Sequence, residues 1–128
     1  MSTSIWWIRR DLRLSDNPAL AAALDQGGDV IPVFILDPQL LASPYVGQAR
    51  LAFLYEGLRI LDADLRQRGS GLIIRQGEPL DVLHTLHKET SADTIFAAAD
   101  VSPYAHHRDE RVMRELPLKL TGGVTVHP

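Results

Sequence analysis

Residues Ile5 to Leu20 read Ile-Trp-Trp-Ile-Arg-Arg-Asp-Leu-Arg-Leu-Ser-Asp-Asn-Pro-Ala-Leu. The apolar run breaks directly into Arg9, Arg10, Asp11, Arg13 and Asp16, and then into Asn17-Pro18, an N-cap residue followed by proline at the first helical position. That order specifies a buried strand, a charged turn and a helix start, which is the first half of a strand-helix-strand unit. Charge packed within one turn of a buried strand must pair with itself, with a ligand or with another domain.

The same alternation repeats along the chain. Ile5 to Ile8 is the first strand, and the helix through Leu20 and Leu24 stops at Gly27-Gly28. Val30 to Leu36, bounded by Asp29 and Asp37-Pro38, is a continuous apolar run that suits a strand buried on both faces, with Pro32 near its start. The stripe Leu51, Leu54, Leu58, Leu61, Leu65 falls at spacings of three and four and predicts a long amphipathic helix, with Asp62–Arg66 and Asp64–Arg68 as i,i+4 pairs on its wet side. Leu72 to Arg75 is a third strand, and Glu78-Pro79 opens a helix through Leu80, Leu83 and Leu86. Thr94 to Ala98 is a fourth strand, Ser102-Pro103 caps a helix from Tyr104 to about Leu116, and Val124-Thr125-Val126 offers a fifth strand. This pattern predicts an α/β fold: three α/β/α layers around a five-stranded, parallel, doubly wound (Rossmann-like) sheet.

In an open parallel sheet the ligand crevice lies beyond the carboxyl ends of the strands, where strand order reverses, for example between strands one and four in a 3-2-1-4-5 order. Three loops are thereby selected: Arg9-Arg10-Asp11, Asp37-Pro38 and Ala99-Asp100-Val101-Ser102. Arginine and aspartate suit a ring bearing carbonyls and ring nitrogens or a phosphorylated tail, and Phe34, Leu36 and Phe53 could wall such a ring, with Arg50 one turn before Phe53 in reach. The glycines never produce a phosphate-cradling spacing at a strand-to-helix turn, which disfavours dinucleotide-fingerprint and P-loop chemistry. No nucleophile elbow, carboxylate pair or metal cluster is legible.

With 128 residues, 45% hydrophobic, the chain suits one domain over 1–128. A net charge of −3 makes it a poor platform for direct contact with DNA phosphates. The absence of cysteine fits a reducing cytoplasm, and no apolar run is long enough for a membrane span.

Bland readings compete at several positions. The charged turn could be an ion-pair network, a reading that charge pattern alone slightly favours. Trp6 and Trp7 read as packing residues, one in the core and one at an interface. Asp81, His84 and Lys88 share a face that reads as solvated surface, and His106-His107-Arg108 with Arg111, offset by Asp109 and Glu110, reads as surface or domain interface.

Trp7 to Leu20 resembles the Trp-x-Arg-Arg-Asp-Leu-Arg-Leu-x-Asp-Asn-Pro-Ala-Leu signature of the DNA photolyase and cryptochrome family. The likeness extends through Val33-Phe34-Ile35-Leu36-Asp37-Pro38, the helix from Arg50 to Leu65, Gly77-Glu78-Pro79 and Ser102 to Val112. It implies the family's N-terminal α/β domain, which holds a light-harvesting antenna chromophore: a deazaflavin (8-hydroxy-5-deazaflavin, favoured), a folate (methenyltetrahydrofolate), a second flavin (FMN), or none. The crevice reading makes Arg9, Arg10, Phe34, Leu36, Asp37, Arg50, Phe53 and Asp100 the binding candidates, and of these the deazaflavin-type pocket resembles Phe34 to Pro38, Arg50 and Asp100. The parent would be a blue-light-dependent pyrimidine-dimer lyase whose FAD and damaged-DNA groove belong to a C-terminal helical domain beyond Pro128; this piece alone would be inactive and would meet DNA only through that domain. Where the family reads Trp-Asn-x-Asp-Tyr-Glu-Pro-Tyr, this chain reads Ala97-Ala98-Ala99-Asp100-Val101-Ser102-Pro103-Tyr104, which leaves a roomier pocket or a vacant one. The alternatives are the same domain from a cryptochrome, and a nucleotide-binding domain of the universal-stress-protein kind. Apolar surface that would face the second domain is expected to promote self-association.

Overall fold

The computed structural model describes residues 3–9, 12, 14, 17–38, 48–100 and 102–121. Five strands, β1 (Thr3–Ile8), β2 (Asp29–Leu36), β3 (Ile73–Gln76), β4 (Thr94–Ala98) and β5 (Leu118–Thr121), alternate with four helices, α1 (Pro18–Asp25), α2 (Gln48–Gln67), α3 (Pro79–Thr90) and α4 (Pro103–Glu115). The sheet is parallel in the order β3-β2-β1-β4-β5, with β1 at its centre, Ile5 opposite Ile31 on one side and Ile95 on the other. The order reverses between β1 and β4, as the doubly wound expectation requires.

Alternation along β1 divides the core between the two faces. Ile5 and Trp7, with Val33, Ile35, Ile95 and Ala97, pack against Leu80, Leu83 and Leu86 of α3, Val112 of α4 and Leu116 at its C-cap. Trp6 and Ile8, with Phe34, pack against Ala19 of α1 and Leu58, Leu61 and Leu65 of α2. The predicted leucine stripe of α2 is thus the stripe that meets the sheet. Leu12 and Leu14, inside the charged turn, join the same cluster, and Leu12 fits so closely over Gly57 that a Cβ there would lie 3.1 Å from its Cδ1. The two leucines staple the turn to α2.

The helix starts follow the sequence cues. The Asn17 side chain accepts from the Leu20 N–H at 3.1 Å, Ser102 Oγ from Ala105 N–H at 3.2 Å, and the Glu78 carboxylate from Asp81 N–H at 3.1 Å. Gly77, at φ +153°, makes the turn into α3; a Cβ there would meet Val82 Cγ2 at 2.9 Å.

Three expectations shift. The fifth strand found is Leu118–Thr121, where Pro117 ends the helix region and the chain pairs at once with β4, whereas Val124-Thr125-Val126 lies outside the described residues. Pro32 is well inside β2, yet pairing with β3 begins only at Val33, so one side of the strand is still open where the proline lacks its N–H. Neither tryptophan lies at an interface: Trp6 and Trp7 are both buried, on opposite faces of the sheet. Among the described residues no helix is long and apolar enough to cross a membrane.

Candidate functional site

At the carboxyl ends of β1, β2 and β4 a cavity of about 120 Å³ is lined by Trp7, Phe34, Asp37, Asp100 and Arg108, with Arg9, Ile8, Ile35, Pro79, Ser102 and Ala105 completing its wall. It lies at the switch point, and all three loops chosen from the sequence contribute to it. Of the candidates, Arg9, Phe34, Asp37 and Asp100 converge there. Leu36 is half-buried and packs with the α2 side of the core, and Phe53 is 83% exposed on α2 and does not line the cavity. Arg10 and the side chain of Arg50 lie outside the described residues.

Long-range pairing organises the charge. Arg9 Nη1 donates to Asp109 Oδ1 at 2.5 Å and its Nη2 donates to the Ala98 carbonyl, so the guanidinium that leaves β1 is tied to both α4 and β4. Arg108 Nε donates to the same Asp109 oxygen at 3.2 Å. The side chains of Arg9 and Asp109 are only 7% and 3% exposed, which makes this a buried ion pair and not a solvated one. The ion-pair reading of the charged turn therefore holds for Arg9, although its partner is 100 residues away and not in the turn.

Both guanidiniums also lie over the Trp7 ring, with the Arg9 and Arg108 carbons 4.9 and 5.0 Å from its centroid. Such contacts contribute roughly 0.5–2 kcal/mol each, more when desolvated. Asp100 accepts from the Ser102 N–H at 3.0 Å, which fixes the loop leading into α4 and holds the carboxylate at the cavity wall. Guanidiniums, carboxylates and two aromatic rings are thus gathered in one partly dry place, suited to the polar edge and flat face of a heteroaromatic ring. At about 120 Å³ the cavity formed by the described residues is well below the roughly 300–1,000 Å³ of ordinary ligand pockets, and fits part of such a ring.

Trp7, read as a packing residue, also lines the cavity, and Arg108 and Asp109, expected at the surface or a domain interface, are turned inward because Asp109 pairs with Arg9 at the end of β1. One cue for α4 was available: Ser102, Ala105 and Arg108 are spaced by three, so a helix that starts at a site loop presents its first two turns to the crevice. A larger depression of about 770 Å³, bordered by Leu14, Leu20, Leu24, Val30 and Leu65, lies at the amino ends of β1 and β2. It is more open and mostly apolar, and it sits at the end of the sheet that open α/β folds do not use for ligands.

Farther away, His84 Nε2 lies 3.0 Å from Glu115 Oε1, which links α3 and α4 at the surface. Asp62 receives the Leu72 N–H and Arg66 Nε, both at 2.9 Å; these bonds, the backbone one foremost, hold its carboxyl below the usual range.

Residues 4–128 match the model of the DNA photolyase family. The chain is 40% identical over 112 residues to a deoxyribodipyrimidine photo-lyase of Synechococcus, covering 88% of this chain and 23% of that protein. It is also 40% identical over 111 residues to cryptochrome-2 of Gallus gallus, covering 87% and 19% respectively. Among solved structures it is similar to an archaeal photolyase from Sulfolobus tokodaii described with two FAD molecules, with the implication of a novel light-harvesting cofactor, with a TM-score of 0.84, 35% identity, and 92% of this chain and 28% of that one covered. The chain therefore spans between about a fifth and somewhat more than a quarter of the length of the relatives it matches.

Proposed function

The chain belongs to the DNA photolyase family, and from that membership we propose that it is the α/β domain holding a light-harvesting antenna chromophore in a blue-light-dependent DNA-repair photolyase. The observation that carries the reading is the gathering of Arg9, Asp37, Asp100 and Arg108 around Trp7 and Phe34 at the switch point of the sheet. When bound, the antenna would absorb light and pass excitation to a flavin carried elsewhere in the protein. The residues of this chain bind and orient it: Trp7 and Phe34 offer ring faces, Asp37 and Asp100 accept from ring N–H groups, and Arg108 donates to ring carbonyls. Arg9 serves by fixing the floor through Asp109, and Arg10 and Arg50 remain candidates for the phosphate or polar tail.

An 8-hydroxy-5-deazaflavin is favoured, since Phe34 to Pro38, Arg50 and Asp100 resemble that kind of site, and a flavin is the next choice. FAD joins FMN in that second place because the Sulfolobus relative is described with two FAD molecules, with the implication of a novel light-harvesting cofactor. In this proposal the catalytic FAD and the damaged DNA are met by a C-terminal helical domain of the same protein, and the net charge of −3 agrees with a domain that does not itself grip DNA. Likeness to cryptochrome-2 supports a second reading, in which the same domain serves a photoreceptor.

Titration of the chain with 8-hydroxy-5-deazaflavin, methenyltetrahydrofolate, FMN and FAD, followed by absorbance and fluorescence, tests the site, with Asp100→Ala and Arg50→Ala as controls. Saturable binding of one compound, weakened about tenfold or more in Asp100→Ala through loss of a charge-assisted hydrogen bond, is expected. Binding that ignores Asp100 refutes the placement. Dimer repair by a full-length protein under blue light, tested separately, distinguishes the photolyase from the photoreceptor.

A further inference from the structure

Trp7 and Trp6 are adjacent and equally buried, yet their electrostatic surroundings are opposite. Trp7 lines the crevice and has two guanidiniums about 5 Å from its ring centroid. Trp6 faces the α1 and α2 side among Ile8, Ala19, Phe34 and Leu58, with no cation over its ring and no hydrogen-bond partner for Nε1 among the described residues. Indole is among the most easily oxidised side chains, and a photo-excited heteroaromatic ring is a strong one-electron acceptor. A tryptophan against such a ring would ordinarily lose an electron to it, giving an indole radical cation and a chromophore radical anion, and the excitation would be lost.

We propose that Arg9 and Arg108 hold Trp7 redox-inert, so that the crevice offers an excited chromophore an aromatic wall that does not quench it. The radical cation would form beneath two positive charges in a partly dry site, where Coulomb repulsion is weakly screened. Asp109 offsets part of that field as the shared acceptor of both guanidiniums, while Arg9 and Arg108 lie over the ring itself. Asp37 and Asp100 also line the cavity and oppose the effect, so its net strength is set by the balance between them and two guanidiniums about 5 Å from the ring centroid. Burial of Arg9 in the ion pair with Asp109 costs desolvation that packing alone does not require, and a fixed charge over Trp7 is what it supplies.

The two tryptophans form an internal comparison that needs no chromophore. Under illumination at the red edge of indole absorption in air-saturated buffer, kynurenine products at each position are counted by peptide mass spectrometry. Trp7 is expected to oxidise roughly tenfold less than Trp6, given two charges about 5 Å away at an intermediate dielectric. Arg108→Gln or Arg9→Gln, whichever melts nearer the wild type by circular dichroism, narrows the gap. Asp100→Asn, which removes an opposing negative charge from the cavity wall while leaving an oxygen to accept from the Ser102 N–H and leaving the Arg9–Asp109 pair intact, widens it. Looser packing alone would raise oxidation at Trp7 in all of these variants, so a rise in Asp100→Asn overturns the proposal, as does equal oxidation of the two tryptophans in the unaltered chain. The proposal rests on the crevice being the chromophore site, which the ligand titration decides on its own; the photo-oxidation comparison decides only whether Trp7 is insulated.

Discussion

Replacing Asp109 with alanine removes the carboxylate that two largely buried guanidiniums share. Its Oδ1 accepts from both Arg9 and Arg108, and the side chains of Arg9, Arg108 and Asp109 are 7%, 14% and 3% exposed, so water cannot take over the lost role without opening the crevice. Breaking a buried pair by removing one member costs about 3–5 kcal/mol, most of it from the charge left behind. Against a total stability of roughly 5–15 kcal/mol this is a large fraction, and at about 4 °C per kcal/mol for a domain of this size it corresponds to a fall in Tm on the order of 10–20 °C. Urea unfolding followed by circular dichroism, with the slope checked for constancy, measures it. Adding Arg9→Met to Asp109→Ala should recover part of the loss, because one stranded charge is then replaced by an apolar chain of similar length. A loss below about 1 kcal/mol would place the pair with ordinary solvated surface bridges and refute the buried-charge argument.

Gly77→Ala should destabilise by about 1–3 kcal/mol in the same assay, since φ +153° is strained for any residue with a Cβ and the added methyl would meet Val82 Cγ2 at 2.9 Å. A neutral result would mean the turn into α3 relaxes freely. Asp62, whose carboxyl is held low by the Leu72 N–H and then by Arg66, has a folded pKa below its unfolded one, so its contribution is present above the usual carboxylate pKa and is lost as pH falls through the lowered value. Asp62→Asn should therefore flatten the acid side of a stability-versus-pH curve, and an unchanged curve would contradict the assignment. Phe53 and Ile60, 83% and 50% exposed and seven residues apart on one side of α2, should promote self-association that Phe53→Ser reduces; sedimentation showing a monomer at high concentration in the unaltered chain would refute this.

Much of the fold was legible because its cues are local. The Asn-Pro and Ser-Pro caps, the leucines of α2 at spacings of three and four and the unbroken apolar run of β2 each lie within one element, and each is found where the pattern placed it. The edge strand was harder. Val124-Thr125-Val126, which has the stronger β composition, lies outside the described residues, and the strand found, Leu118–Thr121, follows the helix directly and pairs with β4. Phe53 shows the same limit within a helix: its type suggested a wall for the crevice, but its position on α2 decided its exposure.

By itself the sequence determined the alternation of strands and helices, hence a parallel sheet covered on both faces, and therefore the end at which a ligand would bind. Only the tertiary structure decided that Arg9 meets Asp109 across 100 positions, that Arg108 joins it, and that both cations lie over Trp7 and not over its neighbour. Periodicity and capping arise from contacts a few residues apart, and so they are written into short windows of sequence. Which charge pairs with which depends on strand order and on the side of the sheet a helix covers, and these are set by the packing of the whole core.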